Sequence, residues 1–178
     1  YDNMLKASLN LSVDGASSTG VDASRFYVYP SVGLTWMGKN MMSLSNSTLV
    51  NRLDLRAEYS MTGNSRFSSN LAKHYYSALP FQEISGIVRA NVPNTTLKPE
   101  KKAQINLGLD IDLRFDRLSW SFDYYNNKTT DAIFVVPQSS VFGTQNYYDN
   151  LGELSNNGLE LSLQASIIRS QSFEWIIG

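Results

Sequence analysis

A chain of 178 residues with net charge −1 and only 17% charged residues has no electrostatic footprint for nucleic acid. The absence of cysteine excludes disulfides, thiolate metal sites and cysteine nucleophiles, and suits a compartment where free thiols are a liability. No run of about 18 apolar residues occurs, so there is no transmembrane helix, although a membrane β-barrel escapes such a search because each strand is only half apolar. The opening residues, from Tyr1-Asp2 on, lack the pattern of a signal peptide.

Asn3–Val13 alternates, with Leu5, Ala7, Leu9, Leu11 and Val13 on one face and Lys6, Ser8, Asn10 and Ser12 on the other. Asp14–Ser24 is small and polar, and its aspartates fit no calcium-loop spacing. Arg25–Met37 reads as a second strand, with Phe26, Val28, Pro30, Val32, Leu34 and Trp36 on the apolar side; Pro30 cannot donate to a ladder, so a bulge or local gap is expected there. Gly38–Val50 is a longer connection, with one helical turn expected around Met41–Leu44. In Asn51–Met61 all four charges, Arg52, Asp54, Arg56 and Glu58, share one face. Ser65–Pro99 reads as a long polar segment whose candidate for strand is Glu83–Asn91.

Glu100–Asp131 organises the chain. Its odd positions from Ala103 to Leu113 are apolar, and after Arg114 the phase flips to Leu118, Trp120, Phe122 and Tyr124. A two-residue turn at Phe115-Asp116 then sorts both strands: Leu113 faces Leu118, Ile111 faces Trp120 and Leu109 faces Phe122, while Asp110 meets Ser121 and Gly108 meets Asp123. Ala132–Asn150 reads as another long loop, Asn156–Ile168 as a strand, Arg169–Ser172 as a tight turn and Phe173 onward as the start of a seventh strand. Tight turns fall at one end and long loops at the other, and Trp36, Trp120 and Trp175 sit near the short-turn end, where an aromatic girdle would lie. A soluble β-sandwich also alternates, but strands of roughly 9–11 residues with an almost uncharged apolar face favour a tilted membrane strand. The predicted class is all-β, an antiparallel transmembrane β-barrel segment of about seven strands. Its lipid face holds Leu55, Leu109, Phe122 and Leu161, and its lumen face Arg56, Asp110, Asp123 and Glu160.

Leu53–Asn64 (LDLRAEYSMTGN) and Asp123–Asp131 (DYYNNKTTD) resemble segments of SusC-like TonB-dependent outer-membrane transporters. Asn150–Leu163 resembles the family's Asn-x-Gly-Glu…Asn-x-Gly-x-Glu segment, with Asn150, Gly152, Glu153, Asn156, Gly158 and Glu160 on the matching positions. Leu97-Lys98-Pro99-Glu100 has proline where SusC-like chains often carry Trp, and is common in TonB-dependent receptors at large. The resemblance implies that residues 1–178 belong to the C-terminal half of a plugged barrel of about 22 strands, the plug and the TonB-contacting segment lying elsewhere in a longer polypeptide. It implies bacterial outer-membrane localisation, contact with membrane lipid, and energy-dependent uptake of glycans or peptides with the TonB complex and a SusD-like surface lipoprotein as partners. A structural role for such a barrel within a larger envelope assembly is the alternative.

For chemistry, Asp110, Asp112 and Asp123 could space two carboxylates for glycoside hydrolysis, but a hydrated, ion-paired wall with Lys102, Arg114 and Arg117 nearby is the plainer reading. A Ser-His-Asp triad would need His74, the single histidine, in a loop. No Gly-rich phosphate loop or metal cluster is present, so neither an enzyme nor a cofactor is expected. The candidate binding residues are aromatic and amide groups in the long loops. Tyr75, Tyr76 and Phe81 form one cluster and Asn146, Tyr147 and Tyr148 the other; rings beside amides can stack on a ligand and hydrogen-bond it.

Overall fold

A computed structural model of the chain describes residues 4–40, 47–81, 84–113, 117–139, 141, 143, 146–170 and 173–178. Its elements are the strands β1 (Leu5–Gly15), β2 (Phe26–Met37), β3 (Val50–Asn64), β4 (Tyr76–Phe81), β5 (Ile84–Arg89), β6 (Glu100–Leu113), β7 (Leu118–Pro137), β8 (Asn146–Arg169) and β9 (Glu174–Ile177), with short 3₁₀ turns at Gly38–Asn40 and Ser69–Leu71. Seven strands form one sheet in the order β1-β2-β3-β6-β7-β8-β9, every pair antiparallel, and β4 and β5 form a separate hairpin. The sheet is a chain-order meander into which the β4–β5 hairpin is inserted. No helix among the described residues is long and apolar enough to cross a membrane, which says nothing of strands.

Register carries each side-chain class across the sheet. Trp36, Leu55, Leu109, Phe122 and Leu161 form one row of successive partners, and Leu34, Ala57, Leu107, Tyr124 and Leu159 the next. Rows on the opposite face run Thr35, Arg56, Gly108, Asp123, Glu160 and Gly33, Glu58, Asn106, Tyr125, Gly158. The apolar rows lie bare: Leu9 is 82% exposed and Leu161 64%. A contiguous apolar face of this extent needs a cover, and lipid is the cover that a barrel strand expects. Among the described residues the buried apolar side chains are Ala16, Tyr29, Ala72, Leu97, Pro99 and Ala132. Most of these lie in the loop cluster at the long-loop end, so the conventional core of this chain sits there and not between sheets.

Several expectations are refined. The hairpin register of β6 and β7 is the one the period dictates, from Leu113↔Leu118 to Gly108↔Asp123. The turn Phe115-Asp116, the helical turn at Met41–Leu44 and part of Arg169–Ser172 lie outside the described residues. Pro30 causes no register shift against β1, and the β2–β3 ladder stops at Ser31, so it marks a gap and not a bulge. Ala132–Asn150 is largely not a loop. β7 runs to Pro137 and β8 starts at Asn146, giving strands of 20 and 24 residues. Beyond Thr130, the last described partner of β6, the two continue as a two-stranded ribbon. The extension is reached through register shifts between Thr129 and Ala132 and between Ala132 and Ile133, where Asp131 adopts φ 59°. Aspartate is among the few side chains that tolerate the left-handed region.

Candidate functional site

The polar face changes character along the strands. Toward the short-turn end, Arg56 lies between two strands, its Nε donating to Asp110 Oδ2 at 2.8 Å and its Nη2 to Asp123 Oδ1 at 2.8 Å. Arg52 donates through Nε to Asp54 at 2.7 Å and through Nη2 to Asp110 at 3.4 Å. Ser121 Oγ stands 2.8 Å from Asp110 Oδ1 and 3.2 Å from Asp123 Oδ2, and its single proton serves one of them. Gly108 makes room: a Cβ there would come within 2.6 Å of both Arg56 Nη2 and Asp123 Oδ1. This is the ion-paired wall, with different cations from those expected. Lys102 pairs with Thr62 and Thr129 toward the other end, Arg117 is exposed, and Arg114 lies outside the described residues. Asp110 and Asp123 are thus both engaged by Arg56 and Ser121, as in the plainer reading of an ion-paired wall.

Further along the same face the charges give way to amides. A cavity of about 420 Å³ is lined by the amides Gln104, Asn106, Asn127 and Asn156 together with Asp123, Glu160, Tyr124 and Tyr125. The Oδ1 atoms of Asn106 and Asn127 are buried and accept no hydrogen bond from the described residues. Such acceptors are costly to leave unmatched. Sequence reading passed over these residues, because an amide on an alternating strand gives the same signal as any other polar residue.

At the long-loop end the side chains build a clamp. Asn150 Oδ1 accepts from the Lys98 N–H at 2.9 Å, and its Nδ2 donates to the carbonyl oxygens of Lys98 at 2.9 Å and Asp131 at 2.6 Å. Lys98 Nζ lies 3.0 Å from Asp131 Oδ1. Glu100 accepts from the Ile133 N–H at 2.9 Å with one oxygen and from Asn64 Nδ2 at 2.9 Å with the other. Asn94 Nδ2 reaches the Tyr148 carbonyl at 3.0 Å and Asp149 Oδ1 at 2.8 Å. The β1–β2 loop joins in, since the N–H groups of Gly20 and Asp22 donate to Leu97 and Thr95 carbonyls. Leu97 and Pro99 are fully buried at the centre. Leu97-Lys98-Pro99-Glu100 and Asn150 are thus two halves of one device that fixes the ribbon to the segment preceding β6. Gly152 belongs to it too, for a Cβ there would strike the Phe134 ring.

The aromatic groups singled out from sequence lie on the β7–β8 ribbon and in and beside the β4–β5 hairpin. Tyr147 and Tyr148 are half-buried on β8, paired with Val136 and Val135, and as neighbours on a strand their rings leave opposite faces. Asn146 is exposed at the ribbon's tip, opposite Pro137. Tyr75 and Tyr76 are exposed at the base of the β4–β5 hairpin, with the Tyr76 ring stacked on His74 at 6.5 Å. Phe81 ends β4, and its side chain lies outside what is described. The hairpin's base is tied by the Tyr75 N–H to Asn91 Oδ1 at 2.8 Å. Among the described residues no hydrogen bond or ion pair joins the two aromatic groups directly; the segment Asn91–Asn94 runs between them. A hairpin therefore stands within the segment read as mostly loop, its second strand within the one stretch marked as a candidate.

Comparison with known proteins agrees with this architecture. The family model described as TonB dependent receptor-like, beta-barrel, matches residues 1–177. TonB-dependent receptor P3 of Formosa agariphila is 34% identical over 166 residues, covering 91% of this chain and 16% of its own length. TonB-dependent receptor SusC of Bacteroides thetaiotaomicron is 29% identical over 172 residues, covering 91% of this chain and 17% of its own. The chain therefore spans about a sixth of the curated relatives it matches. Among solved structures, the RagAB peptide transporter superposes with TM-score 0.87 at 26% identity, over 98% of this chain and 19% of that one. The RagAB peptide importer in its closed-closed state gives 0.86 at the same identity, over 96% of this chain and 19% of that one. With a meander of membrane-type strands, a family match across almost its whole length and SusC among its relatives, this chain belongs to the TonB-dependent receptor β-barrel family and is SusC-like.

Proposed function

We propose that the chain is part of an outer-membrane importer for peptides or glycans, driven through the TonB complex and covered by a SusD-like surface lipoprotein. The observation that carries the reading is the superposition on the RagAB peptide importer over nearly the whole chain, with TM-scores of 0.85–0.87. In this reading the apolar rows meet membrane lipid, the polar rows face the lumen, and the long-loop end lies outside the cell. The TonB complex would engage parts of the polypeptide beyond these residues.

Within the importer, Tyr147 and Tyr148 act at the mouth, one ring toward cargo and the other toward the lid lipoprotein. Asn146, Tyr75, Tyr76 and Phe81 supply further contacts on the same side. Tyrosine suits such a place because it offers a large contact area, few rotatable bonds and a hydroxyl that stays wet at a rim. A stacked ring contributes on the order of 1–2 kcal/mol. Replacing both Tyr147 and Tyr148 by Ala in the full-length transporter should weaken uptake or lid co-purification roughly tenfold, with barrel folding unchanged. Parental uptake and parental lid co-purification in that variant would retire the role of the pair. A barrel whose parental form takes up nothing when TonB is energised would instead be a structural subunit.

A further inference from the structure

The outer face of β1 and β2 ends in a basic notch that the importer reading does not use. From Trp36 to Phe26 the apolar side of β2 spans ten residue steps. That is roughly 33 Å of strand, or about 25 Å of height at a barrel tilt near 40°, which matches the apolar band of an outer-membrane barrel. Phe26 therefore stands at a rim of that band. It pairs with Gly15, and its ring lies 3.4 Å from where a Gly15 Cβ would be, so the ring lies across the outer surface. Next to it is a cavity of about 430 Å³ whose lining includes Gly15, Ser17, Val21, Arg25, Phe26 and Lys73. Lys73 enters from the segment between β3 and β4, with Nζ donating to the Ser17 carbonyl at 3.1 Å and two protons left over. No carboxylate lines the cavity, and Arg25 makes no side-chain hydrogen bond or ion pair with a described residue. Val21 and Phe26 are exposed beside these cations.

Two exposed cations lining a cavity beside bare apolar groups, at the height where headgroups begin, point to one ligand class. We propose that Arg25 and Lys73 seat the phosphate of an outer-leaflet lipid, whose acyl chains then run down the exposed side chains of Val13, Val28 and Val32. A free phosphate would use the same cations but would leave Phe26 and Val21 without a role. The seat would fix the β1–β2 loop, and through the hydrogen bonds of Gly20 and Asp22 the Thr95–Leu97 segment, to the membrane surface. This rests on the reading of an outer-membrane barrel with its long loops outside.

The test uses the full-length transporter in detergent, titrated with phosphatidylglycerol or with diacylglycerol, which has the acyl chains but no phosphate, and followed by native mass spectrometry. Arg25→Gln/Lys73→Gln should weaken phosphatidylglycerol binding about thirtyfold and leave diacylglycerol binding unchanged. Arg25→Lys/Lys73→Arg should bind as the parent does, which separates lost charge from lost fold. Unchanged phosphatidylglycerol binding in the glutamine variant would overturn the proposal. Displacement of the lipid by millimolar inorganic phosphate would overturn it as well, reassigning the notch to a soluble anion. Lipid binding is read without cargo or TonB, so a failure of the importer reading would leave this result separately visible.

Discussion

Asn150 is the residue whose loss should separate the loop end from the barrel. Its side chain makes three hydrogen bonds to backbone groups, one from the Lys98 N–H and two to the carbonyls of Lys98 and Asp131. Each is worth about 1 kcal/mol net, and Lys98 and Asp131 are only half-buried, so water recovers part of what Asn150→Ala removes. The sum after that recovery is about 2 kcal/mol, which makes opening of the clamp about thirtyfold more frequent. Asn150→Asp is the sharper variant. It keeps the acceptor for Lys98 N–H but loses both donors and places a carboxylate against two carbonyl oxygens, so it should open the clamp more than Ala does. Hydrogen exchange on the full-length protein would read this at the amides of Lys98, Glu100 and Ile133, with Leu107–Asp112 as the internal control. Parental exchange rates in the Ala variant, or better protection in the Asp variant than in Ala, would refute the reasoning.

Two further outcomes follow from the faces and ends of the sheet. Leu107→Arg, on the outer face, should cost about 2–4 kcal/mol in refolding into bilayers, while Asn106→Arg, one residue away on the lumen face, should cost far less; equal costs would contradict the assignment of faces. Protease applied to intact cells should reach Lys73 in the long β3–β4 segment and spare Arg169 at the short-turn end, and the opposite pattern would invert the barrel.

The parts of this fold that could be read from sequence are those where a period of two is enforced. Between Ala103 and Phe122 one face must meet lipid, so register follows from parity alone and agrees pair by pair with the structure. Past Asp131 that constraint lapses. The bulge resets the phase, and Val135 and Val136 are adjacent apolar residues that share no face, so the ribbon looked like loop although it is strand. The ion pairs were hidden for another reason. Arg56 and Asp110 are 54 positions apart, and they meet because β3 pairs with β6 across the inserted β4–β5 hairpin. Nearby cations in the sequence were the poorer guess. Asn150 was visible as part of a motif, but its role depends on Lys98 and Asp131 converging on it, which no local pattern announces.

The clamp explains why the aromatic pair could act as a binding surface at all. Above Thr130 no further strand of the main sheet lies beside the β7–β8 ribbon among the described residues, and an isolated two-stranded ribbon is marginal in water. In the proposed importer, Tyr147 and Tyr148, if left free, would have to be ordered each time cargo or lid arrived, at a cost of about 0.5–1.5 kcal/mol for each immobilised side chain and more for the backbone. Asn150, Glu100 and Asn94 supply that order in advance. They pin the ribbon at Asp131, Ile133, Tyr148 and Asp149 to a segment whose Leu97 and Pro99 are buried. The chain beneath is anchored differently, by register and by the Arg56–Asp110–Asp123 wall. The two anchors share no described hydrogen bond, so opening the clamp should disturb the tyrosines and leave the wall intact. Asn150→Ala should therefore weaken uptake without touching cargo and without loosening the barrel strands.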